Sequence, residues 1–139
     1  MSTATLVVVG LVPYGEREDG QPTWVVTRRA QGVHLEGAWE LPGGKVERGE
    51  APHDALAREL HEELGVTVEE AAPITFSWHA YAERTVLLLF FEVVLTAQSA
   101  PPSPKVASEL RLVSQSELFS LEMPAANEPF KRWLAERSG

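Results

Sequence analysis

The chain has 139 residues, 44% of them hydrophobic and 23% charged, enough for one domain with a buried core. Twelve basic against 20 acidic residues give a formal net charge of −8, which argues against broad binding to polymeric nucleic acid or to an anionic membrane. No cysteine is present, so disulfides and thiol catalysis are excluded.

Residues 3–12 form an apolar, β-branched run expected to be a buried strand. The start lacks a charged leader region and its apolar run is too short to span a bilayer, so a cytoplasmic protein is expected. Pro13, Gly15, Asp19 and Gly20 mark residues 13–20 as a polar hairpin loop, and residues 23–28 read as the second strand. Gly32 and Gly37 belong to a loop over residues 31–38, expected to lie across the site. Trp39-Glu40-Leu41 is a short extended piece entering Pro42-Gly43-Gly44, where two glycines predict a sharp turn and close backbone approach to a ligand.

Pro52 suits the first turn of a helix that runs to Leu64, and Gly65 supplies a left-handed terminating residue. Leu56, Leu60 and Leu64 recur every four residues as its core-facing stripe. Residues 74–81 and 85–96 read as strands joined tightly through Ala82-Glu83-Arg84, and the apolar run 86–91 marks a central strand buried on both faces. Residues 97–105, rich in proline, form a loop, and residues 110–113 a short strand. Ser114 and Glu117 open a capped short helix, while Phe130, Trp133 and Leu134 give an amphipathic helix over 128–137. Strands and helices without regular alternation predict an α/β fold, a mixed sheet covered by helices.

The chemistry concentrates on residues 58–63. Glu59, Glu62 and Glu63 fall on one face of the expected helix, where three ionised carboxylates repel one another. A divalent cation with hard oxygen ligands removes that penalty. A solvated acidic face is the plainer reading, but it leaves the wider spacing unexplained. That spacing is Gly44, five residues, Glu50, seven residues, Arg58-Glu59-Leu60, one residue, Glu62-Glu63, one residue, Gly65-Val66.

This pattern resembles the signature of the Nudix hydrolases at every specified position. The resemblance implies an α/β/α sandwich over residues 1–139, with a mixed β-sheet and a catalytic loop-helix-loop. It implies Mg²⁺, or Mn²⁺ in its place, held by Glu59, Glu62, Glu63 and the carbonyl of Gly43. Glu63 or Glu59 would act as general base through a bound water. Arg58, unable to share the face of Glu59, would orient the carboxylates by ion pairing, with Glu50 as its partner. His61, at an unspecified position, is expected to be exposed rather than catalytic.

Outside the signature, residues 27–30, 39–44, 83–84 and 123–129 resemble the MutT-type 8-oxo-dGTP diphosphatases and the CTP pyrophosphohydrolases. On that resemblance Arg29 lies near the nucleotide phosphates, His34 and Arg84 line the cleft, and Asn127 reads a purine edge. The alternative for Asn127 is a turn residue ahead of Pro129. Leu41 is expected to line the base pocket and Trp39 to pack in the core. Two departures stand out. The positions of a further acidic ligand hold Pro104, Lys105 and Val106, with Glu109 the nearest carboxylate, and Glu83 replaces a purine-contacting aspartate.

The expected activity is Mg²⁺-dependent pyrophosphohydrolysis of a nucleoside triphosphate, an oxidised purine such as 8-oxo-dGTP, by a monomer or homodimer. Hydrolysis of CTP, dCTP or a methylated pyrimidine nucleotide is the first alternative, and Tyr81 leaves dinucleoside polyphosphates open. A non-catalytic nucleotide-binding module is a third reading, opposed by the complete set of signature glutamates.

Overall fold

The computed structural model describes residues 4–16, 19–32 and 37–138. In order these form β1 (Thr5–Leu11), β2 (Pro13–Glu16), β3 (Pro22–Arg28), β4 (Trp39–Glu40), β5 (Gly43–Lys45), α1 (Pro52–Leu64), β6 (Val68–Ala80), β7 (Thr85–Leu95) and β8 (Glu109–Val113). Helix α2 (Gln115–Ser120), a 3₁₀ turn (Ala125–Asn127) and α3 (Glu128–Ser138) complete the chain.

One sheet has the order β5-β1-β7-β6. It is mixed, because β1 runs parallel to β7 while β5 and β6 pair antiparallel to their neighbours. A second sheet is built on β3, which pairs with β2, β4 and β8. The period-two alternation of the first sheet divides the core. Val8 and Phe91 face α1, packing with its buried Ala55, Leu56, Leu60 and Leu64. Val9 and Phe90 face the other way, with Leu118 of α2 and with Phe130 and Leu134 of α3. The result is the expected α/β/α sandwich, with β7 buried on both faces.

Helix α1 has the expected bounds. Pro52 stands in its first turn, and Gly65 ends it at φ 76°, its amide donating to the His61 carbonyl at 2.9 Å. The amides of Ser103 and Lys105 donate to the Leu64 and Glu63 carbonyls at 3.0 and 2.9 Å. The proline-rich loop therefore satisfies helix-end acceptors that would otherwise lack partners.

Three expectations are corrected. Part of the loop at 13–20 is strand β2, its pairing with β3 interrupted by a register shift. Strand β6 begins at Val68, six residues before the expected start, and passes an irregularity around Pro73. Gly43 and Gly44 form no sharp turn. They lie in β5, paired with Val9 and Val8, and neither takes a positive φ. Of the loop over residues 31–38, positions 33–36, His34 among them, lie outside the described residues. No helix among the described residues is long and apolar enough to cross a membrane.

Candidate functional site

The site forms where the two sheets meet. Val7 and Val9 from β1 and Val86 and Leu88 from β7 give an apolar floor to a cavity of about 700 Å³. Leu41, Arg29 and Glu40 approach from the second sheet's side, and the 81–84 turn brings Glu83 and Arg84. Pro124, Ala126 and Asn127 from the 3₁₀ turn close another wall. Gly43, Gly44, Lys45 and Glu63 complete the lining. Six sequence-derived candidates thus share one cavity: Arg29, Leu41, Gly43, Glu63, Arg84 and Asn127.

Strand β5 explains how a helix on one face of the sheet reaches a cavity on the other. A Cβ on Gly43 would overlap the Val8 carbonyl, and a Cβ on Gly44 would overlap the Glu59 carboxylate. The close approach at these glycines is therefore to the protein's own backbone and to Glu59. Without side chains here, α1 packs directly over β5, and the Gly43 amide donates to Glu63 Oε2 at 3.3 Å.

Arg58 organises the carboxylates beside this strand. Its Nε and Nη2 donate to the two oxygens of Glu50 at 2.8 and 3.0 Å, a bidentate pair. Nη1 donates to Glu59 at 2.9 Å and to Glu62 at 3.3 Å, and Nη2 also reaches the Lys45 carbonyl at 3.1 Å. Although its position lies off the face of Glu59, the long Arg58 side chain carries the guanidinium across to Glu59 and Glu62, in addition to the expected partner Glu50. The hydrogen bond from Arg58, supported by the Glu47 amide, pushes the Glu50 carboxyl down to about 2. Arg58 is itself held more firmly protonated, chiefly through Glu50.

Glu63 differs from its neighbours. Burial, then repulsion from Glu59, pushes its carboxyl up to about 8, with smaller contributions from Glu40 and Glu62 and only partial opposition from the Gly43 amide. Glu59 and Glu62 do not line the cavity, and the Glu62 side chain is 57% exposed against 16% for Glu59. Among the described residues no three acidic or histidine side chains converge as a ready cation cluster. Arg58 accounts for this, since it draws Glu59 and Glu62 toward itself. The donor set still fits a hard divalent cation: carboxylate oxygens crowded around one carboxylate whose ionised form lacks positive compensation.

Asn127 is 7% exposed and buried in the cavity wall. Its Nδ2 donates to the Pro124 carbonyl at 3.3 Å, and its backbone amide donates to the same carbonyl at 2.9 Å, so the side chain also helps close the 3₁₀ turn. Arg29 Nη1 pairs with both oxygens of Glu40 at 3.2 and 3.1 Å, while burial holds the Glu40 carboxyl above its ordinary value.

Glu109 lies elsewhere, paired with Arg28 at 3.5 Å and Arg111 at 3.8 Å beside a separate cleft. Trp39 is half-buried against the core, with Arg111 and Arg28 over its ring at 4.6 and 6.0 Å, and does not line the main cavity. His61 is exposed, its Nδ1 3.4 Å from the Val66 carbonyl. Sequence reasoning missed Glu40 as a cavity residue and weighed Tyr81 only toward dinucleoside polyphosphates. Glu40 carried a signal, a lone charge between Trp39 and Leu41. The bond from Tyr81 to the 3₁₀ turn carried none, because its partner lies 45 positions away.

The NUDIX domain family model matches residues 4–134. The chain belongs to the NUDIX family. It is 33% identical over 104 residues to an 8-oxo-dGTP diphosphatase of Escherichia coli, an alignment covering 75% of this chain and 79% of that protein. A shorter match, 42% over 52 residues, is to an RNA pyrophosphohydrolase of Helicobacter pylori, covering 37% of this chain and 34% of that one. A MutT protein from Methanosarcina mazei shares the fold at a TM-score of 0.78 and 24% identity, with 99% of this chain and 96% of that one covered. The chain is accordingly a MutT-like Nudix hydrolase, and Nudix hydrolases use divalent metal ions.

Proposed function

We propose that this Nudix hydrolase is a Mg²⁺-dependent nucleoside triphosphate pyrophosphohydrolase. It releases a nucleoside monophosphate and pyrophosphate, with oxidised purine nucleotides such as 8-oxo-dGTP as preferred substrates. The observation that carries the reading is a single cavity with a carboxylate end at Glu63 and a buried amide at Asn127.

Glu59, Glu62 and Glu63, with the Gly43 carbonyl, would hold the metal, which when bound neutralises phosphate charge and acidifies a water. Arg58, braced on Glu50, orients Glu59 and Glu62. Arg29 and Arg84 supply positive charge along the phosphates, and Leu41 packs against the base. Asn127 gives one N–H to Pro124, which fixes its amide plane, and turns its oxygen and second N–H to the purine edge. Glu59 or Glu63 takes the proton from the attacking water.

The test is pyrophosphate release with Mg²⁺ from 8-oxo-dGTP, dGTP, dCTP, methyl-dCTP, a dinucleoside polyphosphate and a 5′-triphosphorylated RNA. A kcat/KM at least about tenfold higher for 8-oxo-dGTP than for dGTP is expected from the hydrogen bonds of one well-placed amide. A pyrimidine preference would discard the role given to Asn127 and keep the carboxylate chemistry. Nucleotide binding without turnover on any substrate would overturn the enzymatic reading.

A further inference from the structure

Tyr81 sits at the corner between β6 and β7, and its two polar contacts lead to two different walls of the cavity. Its backbone amide donates to the Arg84 carbonyl at 2.8 Å, closing the turn that carries Glu83 and Arg84. Its hydroxyl accepts the Ala126 amide at 3.2 Å, a bond from the strand corner to the 3₁₀ turn. Ala126 immediately precedes Asn127.

The 3₁₀ turn needs such a tie. Three residues long, it runs straight into α3 at Glu128, and at its entry Pro124 contributes no side-chain cap. A first-turn amide such as that of Ala126 therefore takes a partner from elsewhere in the fold. Asn127 closes it from within through Pro124, and Tyr81 from outside through Ala126. The tyrosine ring is itself fixed, partly buried against the core shared with Phe130 and in tilted contact with His79 at 4.4 Å.

We infer that Tyr81 is a specificity-positioning residue, its hydroxyl holding the Ala126 amide so that the Asn127 side chain stands at the angle from which it reads the base. This rests on the assignment of Asn127 to base recognition. Tyr81 acts through Asn127, so the two residues form one energetic unit and their losses do not add. Phenylalanine keeps the ring and its packing while deleting the oxygen.

The experiment is a double-mutant cycle on wild type, Tyr81→Phe, Asn127→Ala and the double variant, with kcat and KM measured for 8-oxo-dGTP and for dCTP. For the purine, Tyr81→Phe is expected to lower kcat/KM about tenfold, the equivalent of one net hydrogen bond, with the loss in KM rather than kcat. The double variant is expected to match Asn127→Ala alone. A wild-type kcat/KM for Tyr81→Phe, or a double variant losing the product of the two single losses, would overturn the inference. So would an impaired Tyr81→Phe beside a silent Asn127→Ala. If wild type prefers dCTP, the purine assignment fails, whereas the non-additivity read on dCTP still decides the role of Tyr81.

Discussion

At the scale of single residues, one arginine sets the arrangement of the carboxylates. Arg58 contacts Glu50, Glu59 and Glu62, and the strongest of these contacts leaves its mark on Glu50, whose carboxyl is held at about 2 against an ordinary 4.5. A folded-state value below the unfolded one means that the ionised form favours the fold. The stabilisation is complete above about pH 4.5 and is lost as the pH falls toward 2. Glu50→Gln should remove this acid limb: the drop in urea midpoint between about pH 5 and about pH 3 should be smaller in the variant. Equal drops would show that the pair carries no linkage. The roles proposed for the neighbouring glutamates are tested by turnover instead. Glu63→Gln should keep the fold and lower kcat by roughly 10²–10⁴-fold, the range for a general base. Glu62→Gln should keep the fold and lower turnover by weakening the proposed metal site. Wild-type rates in both, measured at saturating Mg²⁺, would remove them from the metal site.

At the scale of elements, what could be read from the sequence was what local chemistry decides. The bounds of α1 follow from Pro52, the leucine stripe and Gly65, all within one stretch of chain. The capping box of α2 is equally local, Ser114 and Glu117 satisfying each other's amides. Strand β5 was not legible, because Gly43 and Gly44 are defined by Val8 and by Glu59, one distant in sequence and the other on a helix. A glycine pair suggests a turn until its partners are known. The two glycines should consequently fail in different ways. Gly43→Ala drives a methyl into the Val8 carbonyl, which cannot yield without parting β5 from β1, so a loss of stability on the order of 1–3 kcal/mol is expected. For Gly44→Ala the nearest atoms are the end of the Glu59 side chain, which can rotate away. That variant should melt near wild type while its turnover falls, because Glu59 has left its place. Thermal melting and steady-state rates on the two variants separate the cases, and identical behaviour would refute the distinction.

At the scale of the whole molecule, the sandwich was legible as a class, but not the second sheet on β3 nor the cavity where the two sheets meet. Residues contributing to that cavity span Val7 to Asn127, and only tertiary pairing brings them together. The same assembly places Glu63 where its own charge opposes the fold. Its carboxyl stands at about 8 when folded and near 4.5 when unfolded, so between these values the folded state binds more protons. Raising the pH through that window should therefore destabilise the metal-free protein, the opposite sign to Glu50. A divalent cation supplies the missing positive charge, and its affinity should increase with pH up to about 8 because binding must displace the proton. Melting curves in EDTA should accordingly fall from about pH 6 to about pH 8.5, and Mg²⁺ should flatten the decline. Repulsion among the excess acidic residues would bend the EDTA curve in the same direction, so the deciding comparison is Glu63→Gln in EDTA. That variant should lose most of the slope and exceed wild type in melting temperature at the alkaline end. A slope that survives the substitution would place its origin in the general charge of −8 rather than in Glu63.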